Sequence, residues 1–298
     1  MQISSIYSKF ARLYVKPMLL IKNKVLLNTH LSSLGKKSNL GLVPTMGALH
    51  IGHAALVKRA VLENDLVVVS IFVNPTQFNN KEDLEKYPKT LKADIALLKG
   101  ISKDIIVFAP SATEMYHNDI KSRSYDFGNL EHVMEGAFRE GHFDGVGTIV
   151  EALLNTVKPN TAYFGEKDYQ QLQIIRKLVS SKAIPVTIVG CPIVREANGL
   201  AYSSRNKQLA TSSRSQAAII YKTLKTAKRL FGTKSAKSIK EWVHKEFENV
   251  TDFKMEYIEI SDAQTLKPLI RKQKNKKYRA FIAVYVDGVR LIDNIALN

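Results

Sequence analysis

The apolar positions of this chain fall into two textures. Between residues 39 and 194, short aliphatic runs alternate with segments of helical spacing. "NLGLVP" (39–44), "DLVVVSIFVN" (65–74), "DIIVFAP" (104–110), "TAYFGE" (161–166) and "PVTIVGCPIV" (185–194) have the length and composition of strands. Residues 50–62, 90–99, 145–157 and 169–180 repeat apolar side chains at the period of an amphipathic helix. Near-continuous Val/Ile runs suit parallel strands covered on both faces. Their alternation with helices predicts an α/β fold, a doubly wound, Rossmann-like parallel sheet.

Past residue 205 the pattern changes. Residues 217–231 and 239–247 have helical spacing, and "KMEYIEI" (254–260) has that of a strand. "RAFIAVYVDGVRLID" (279–293) reads as a hairpin turning at Asp287-Gly288. No long strand–crossover–strand unit remains, which predicts a smaller α+β domain. The expected division is an N-terminal extension over 1–17, a Rossmann-like domain over 18–194 and the smaller domain over 195–298. No internal repeat is present.

Residues 1–17, "MQISSIYSKFARLYVKP", are expected to be disordered. They carry apolar side chains at helical spacing, with Lys9, Arg12 and Lys16 between them. An acid-poor amphipathic start fits a transit peptide, an upstream extension, or a start codon placed ahead of Met18. No continuous apolar core of a secretory signal is present.

Composition narrows the function classes. The longest apolar runs, such as residues 66–73, are far short of a membrane span. A single cysteine, Cys191, excludes an intramolecular disulfide and suits a reducing, cytoplasmic compartment. The net charge of +17 raises nucleic acid or an anionic membrane as partners. The lysines are nevertheless scattered, and the dense run "RKQKNKK" (271–277) reads as a solvated loop, so neither partner is expected.

Four stretches carry candidate chemistry. "PTMGALHIGH" (44–53) leads from a strand through a turn into a helix, with His50 and His53 on one face of the first helical turn. Free amides and the helix dipole there suit an anion, and two imidazoles can donate to phosphate oxygens. A zinc pair is the rival, without a third ligand at familiar spacing. "SSRN" (203–206) offers Arg205 and the hydroxyls of Ser203 and Ser204 to phosphates, or is a surface turn. In "FGEKDYQQL" (164–172), Lys167 can meet a phosphate or carboxylate, whereas Asp168 and Gln171 have capping-box spacing. In "FVNPTQF" (72–78), Asn74 can start a turn, and Gln77 is left to bind a polar substrate group. Asp94 is a helix-surface carboxylate or a metal candidate; the metal ligands are otherwise unknown.

"HIGH" resembles the signature of the nucleotidyl-transferring superfamily that includes class I aminoacyl-tRNA synthetases. Together with "YPKTLKADIALL", "FAPSATEMY", "EGHFDGV" and "REANGLAYSSRN", the four stretches resemble the pantothenate synthetase (pantoate–β-alanine ligase) family from about Val43 onward. The resemblance implies an ATP- and Mg²⁺-dependent enzyme of coenzyme A biosynthesis that joins (R)-pantoate to β-alanine through a pantoyl adenylate. It implies an ATP site of Met46, Gly47, Ala48, Leu49, His50, Ile51, Gly52 and His53, with His53 as proton donor. Gly165, Glu166, Lys167, Asp168, Val194, Tyr202, Ser203, Ser204 and Arg205 would complete the nucleotide site. Gln77 would hold pantoate and β-alanine, with Asn74 beside it, and Gln171 would hold pantoate. A homodimer and a C-terminal lid are implied too. His50, His53, Lys167 and Arg205 are expected to act as fixed positive donors to the charge that develops at phosphorus. The sequence departs from the family at Tyr202 (usually Met), Ala197-Asn198 (usually Pro-Asp) and Glu140 (usually Pro). Another small-molecule adenylyltransferase of the same fold is the alternative enzyme reading, and a basic nucleic-acid-binding protein the alternative outside enzymes.

Overall fold

A computed structural model of the chain describes residues 18–33, 38–117, 119–248, 250 and 252–298. The extension expected over 1–17 lies outside the described residues. Six strands form one parallel sheet: β1 (Leu19–Ile21), β2 (Leu40–Thr45), β3 (Leu66–Ile71), β4 (Ile106–Phe108), β5 (Thr161–Gly165) and β6 (Thr187–Cys191). Their order is β1-β4-β3-β2-β5-β6. Helices α1 (Lys24–Ser33), α2 (Ile51–Glu63), α3 (Lys81–Lys86), α4 (Leu91–Lys99) and α5 (Ala112–Tyr116) precede β5. So do α6 (Glu135–Phe138) and α7 (His142–Val157), while α8 (Tyr169–Ser181) joins β5 to β6.

β3 explains the unbroken apolar run of the sequence. Val68 enters a core with Val150 and Ile174, whereas Val67 and Val69 enter the opposite core with Val57 and Leu98. Both faces are covered, and each fully buried valine contributes roughly 1.5–3 kcal/mol. The doubly wound expectation therefore holds, with one strand more than the five read from the pattern. β1 is three residues long, and α1 buries only Leu27, too little periodic signal to be read. β6 is also shorter than the 185–194 run.

From β2 the chain moves outward through β3 and β4, then returns to the other side of β2 as β5 and β6. The connections leaving β2 and β5 diverge at their carboxyl ends and open a crevice between them. The turn into α2 and the short 3₁₀ turn Glu166–Asp168 flank that crevice.

The C-terminal part contains α9 (Thr211–Gln216), α10 (Ala218–Phe231), α11 (Ala236–Glu248), β7 (Phe253–Asp262), β8 (Tyr278–Val286) and β9 (Val289–Ala296). The strands form an antiparallel sheet in the order β7-β8-β9. α10 and α11 bury Leu224, Ile239 and Val243 against Ile258, Ile282 and Val284. The predicted hairpin turn is made by Asp287 (φ 51°) and Gly288 (φ 72°), the paired left-handed residues that a two-residue hairpin turn needs.

The two parts are tied together beside the crevice. Arg279 pairs with Glu166 at 3.1 Å. The Asn294 amide donates to the carbonyls of Glu166 and Lys167, each at 2.9 Å. Asn294 is only 2% exposed, so these bonds have little competition from water. Asn294→Ala is expected to lower the unfolding free energy by about 1–3 kcal/mol through two unpaired carbonyls. Urea denaturation checks this, and unchanged stability would show that water replaces the amide.

Candidate active site

The turn from β2 into α2 is built around two acceptors. Thr45 donates its hydroxyl to the Ser70 carbonyl and accepts from the Gly47 amide (2.7 and 3.2 Å). Asp94, from α4, accepts from the amides of Ala48 (3.2 Å) and Leu49 (2.8 Å) and from the Thr90 hydroxyl (3.1 Å). Ala48 sits at φ 49°, a left-handed conformation unusual for a residue with a side chain, and the carboxylate braces it. Asp94 is 2% exposed. It is thus neither a surface carboxylate nor an open metal ligand, because three donors converge on it from the turn and from its own helix.

The histidines form a reciprocal cap. The His50 ring accepts at Nδ1 from the Gly52 amide (3.1 Å), and the His53 ring accepts at Nδ1 from the His50 amide (3.4 Å). A ring accepting at Nδ1 carries its proton on Nε2, so both rings keep an Nε2–H donor. Gly52 makes this possible, since a Cβ there would lie 2.8 Å from His50 Cε1. The ring centroids are 4.1 Å apart. Burial lowers His50 to about 4, helped by Lys167. Burial also lowers His53 to about 3, helped by His50.

Two expectations change as a result. The histidines are neutral donors near pH 7 rather than fixed positive charges, because burial disfavours the charged rings and nearby cations add to that. The amides of Gly47, Ala48, Leu49, His50 and Gly52 are taken by acceptors within the chain, so these five are not free to meet a phosphate, and the ring N–H groups are donors that the turn adds.

A cavity of about 560 Å³ lies between the two sheets. Of the residues picked from sequence, Met46, His50, Gly52 and His53 line it from the first turn, and Asn74 and Gln77 from the segment after β3. Gly165, Lys167, Asp168 and Gln171 line it after β5, and Val194 and Tyr202, Ser203, Ser204 and Arg205 close the wall. Gly47, Ala48, Leu49, Ile51 and Glu166 are not on that wall. Leu49 belongs to the core, Ile51 is 57% exposed, and Glu166 turns its carboxylate to Arg279.

Charged groups gather at the α2 end. Lys167 Nζ is 3.3 Å from Asp168. Burial would raise the Asp168 carboxyl, but Lys167 and then Arg205 hold it below the usual range. Asp168 makes no side-chain cap of α8, so the capping-box reading of Asp168 and Gln171 does not form. Arg205 donates to both oxygens of Asp83 in α3 (2.9 and 3.3 Å). "SSRN" is not a surface turn: it forms a half-buried 3₁₀ segment whose Asn206 is 2% exposed. Tyr202, where the family usually has Met, stacks beside His50 with centroids 6.1 Å apart.

On the opposite wall, the Asn74 amide donates to Gln77 Oε1 (3.1 Å) and to the Gly145 carbonyl (3.0 Å), and its Oδ1 accepts from Tyr116. The side chain thus orients Gln77, and although Asn74 precedes the 3₁₀ turn Pro75–Gln77 its side chain makes no cap bond to it. Five further polar residues on this wall were not singled out from sequence: Glu135, Arg139, His142, Tyr257 and Arg290. Arg139, just ahead of α7, and His142, its first residue, stand three apart, a local signal within "REGHF". The Arg290–Glu135 pair joins positions 155 residues apart and leaves no such signal.

A family model described as pantoate-beta-alanine ligase matches residues 20–296. The chain belongs to that family. It is 58% identical over 260 residues to the pantothenate synthetase of Christiangramia forsetii, covering 87% of this chain and 92% of that one. It is 47% identical over 281 residues to the pantothenate synthetase of Aquifex aeolicus, covering 93% of this chain and 98% of that one. The crystal structure of pantothenate synthetase from Thermus thermophilus superposes with a TM-score of 0.86 at 40% identity, over 94% of this chain and 99% of that one. The ligase from Francisella tularensis, complexed with β-γ ATP and β-alanine, gives a TM-score of 0.77 at 38% identity, over 94% and 98% of the two chains.

Because His50 and His53 are lowered to about 4 and 3, they charge only well below their unfolded value. Each therefore costs stability as pH falls below about 6.5, down to about 4 for His50 and about 3 for His53, and none above that window. In NMR titrations both rings should keep neutral Nε2–H signatures from about pH 8 down to about pH 5. A midpoint near 6.5 for either ring would restore it as a cation.

Proposed function

We propose that this chain condenses (R)-pantoate with β-alanine to pantothenate at the expense of ATP, through a pantoyl adenylate. The observation that carries the reading is one cavity combining two neutral Nε2–H donors, Lys167 and Arg205 with the amides of Gln77 and Gln171. A carboxylate is a poor electrophile. Its oxygen attacks the α-phosphorus, the bond to the β-phosphate breaks, and pyrophosphate leaves with the electron pair. The amine of β-alanine then attacks the acyl carbon, the bond to AMP breaks, and the nitrogen loses a proton as the amide forms.

Charge builds on the phosphate oxygens as the α-phosphorus is attacked, and donors held in place before the step stabilise it most. His50 and His53 supply these through Nε2–H, and Lys167 and Arg205 supply the positive charge. Arg205 exchanges Asp83 for a phosphate as the nucleotide enters. Gln77 and Gln171 hold pantoate through its hydroxyl and carboxyl groups. No protein nucleophile takes part, in keeping with Cys191 being 3% exposed and away from the cavity lining. The C-terminal sheet acts as a lid that limits water, against which an acyl adenylate is labile.

A magnesium ion would come with the triphosphate and screen its charge, with Asp168 and Asp83 as the carboxylates that line that end of the cavity. Among the described residues no cluster of three His, Cys, Asp or Glu forms a separate metal cage, as suits an ion that keeps water and phosphate ligands. A homodimer in the cytoplasm completes the reading. Among the described residues no helix is long and apolar enough to cross a membrane.

With MgATP, pyrophosphate release should depend on pantoate, and AMP and pantothenate should appear in equal amounts once β-alanine is added. ADP in place of AMP would sink the adenylate route. Gln171 separates site from scaffold. Gln171→Ala should raise the pantoate KM about threefold to tenfold, the worth of one hydrogen bond. Gln171→Glu, which sets a carboxylate against the substrate's own, should raise it further. Normal pantoate kinetics in both variants would remove Gln171 from the site.

A further inference from the structure

The cavity holds a cation that the phosphate chemistry leaves unused. Arg290 is consumed by Glu135, at 2.6 and 2.9 Å, and by Glu256. Lys167 and Arg205 stand at the nucleotide end. Arg139 also lines the cavity, and its side chain is 28% exposed. Its Nη1 lies 3.1 Å from His142 Nε2, and its Nη2 donates to the Gln77 carbonyl at 3.3 Å. The nearest carboxylate in an ion pair with it, Glu135, is 4.0 Å away and already accepts from Arg290 and from the Tyr257 hydroxyl (2.8 Å). The guanidinium is positioned by neutral groups and makes no hydrogen bond to an anion.

Its surroundings favour an incoming anion. Burial, then Arg205 and Arg290, outweigh Glu135 and hold Arg139 below the ordinary guanidinium range. His142 adds no charge, since burial and Arg139 lower it to about 4. Its Nδ1 lies 2.8 Å from the Gln77 carbonyl, so that nitrogen carries the proton and Nε2 accepts from Arg139. The Arg139–His142 unit thus carries one positive charge on a planar fork, which matches a single carboxylate better than the several charges of a triphosphate.

We propose that Arg139, oriented by His142 and the Gln77 carbonyl, binds the carboxylate of β-alanine and so selects an amino acid over a simple amine. This rests on the ligase reading above. The carboxylate is the one charged group of that substrate that takes no part in bond formation, and two methylenes separate it from the attacking amine. With the carboxylate on Arg139, the amine lies toward Gln77, on the wall expected to hold the acyl group. His142 is a positioning residue. It keeps the fork in place without touching substrate.

The test compares two nucleophiles on the same adenylate: β-alanine, and hydroxylamine, which lacks a carboxylate and yields pantoyl hydroxamate. In Arg139→Leu, kcat/KM for β-alanine should fall on the order of 10²-fold, whereas that for hydroxylamine should change less than about threefold. Arg139→Lys keeps the charge but loses the fork, so a loss of about tenfold on β-alanine alone is expected. That variant carries the test if Arg139→Leu does not fold. Equal losses on both nucleophiles would make Arg139 structural and overturn the proposal. So would a raised KM for MgATP in pantoate-dependent pyrophosphate exchange with the β-alanine preference intact, which would mark a phosphate subsite. The exchange assay contains no β-alanine, so its absence in the unmodified chain would overturn the parent ligase reading separately, and the subsite with it.

Discussion

Everything at the α2 end of the cavity depends on how the turn between β2 and α2 disposes of its backbone N–H groups. Thr45 and Asp94 take the amides of Gly47, Ala48 and Leu49, and the two imidazoles take those of Gly52 and His50. Once Nδ1 of each ring is an acceptor, the tautomer is set and Nε2–H faces away from the cap. The rings can then sit 4.1 Å apart without repulsion, because neither is charged. Asp94 makes the arrangement possible from 46 residues away in sequence by stabilising a left-handed Ala48. Without that brace the helix would begin elsewhere and the rings would lose their common face.

The second constraint is the joint between the sheets. Asn294 holds the carbonyls of Glu166 and Lys167, and Arg279 holds the Glu166 carboxylate, so β8 and β9 steady the turn that carries Lys167 and Asp168. On the other wall Arg290 holds Glu135. Buried ion pairs add little net stability after their desolvation cost, but a broken one is expensive. Such pairs specify one relative placement of the sheets. The proposed function follows from that placement, since the donors assigned to phosphate come from one wall and the Gln77–Arg139 group from the other.

Two of the departures from the family pattern have local accounts. Tyr202 places an aromatic ring beside His50, giving that end of the cavity a flat surface. Asn198 accepts from the Leu200 amide and donates to the Arg214 carbonyl, so the turn before "GLA" is held by a side-chain amide. Neither change removes a charged group from the cavity.

By itself the sequence determined the alternation of strands and helices, the two-face burial of the central strands, the hairpin at Asp287-Gly288 and the family. These features are written in local periods and contiguous motifs, where neighbours along the chain are neighbours in space. β1 and α1 escaped because three residues and one buried leucine carry no period. Only the tertiary structure decided that Asp94 is a brace, that Arg205 rests on Asp83, that the histidines are neutral, and that Glu166 faces Arg279 rather than the cavity. Each of those outcomes depends on burial or on a partner brought in from another element. A charged residue's chemistry is set by what desolvates and pairs it, and no spacing along the chain records that.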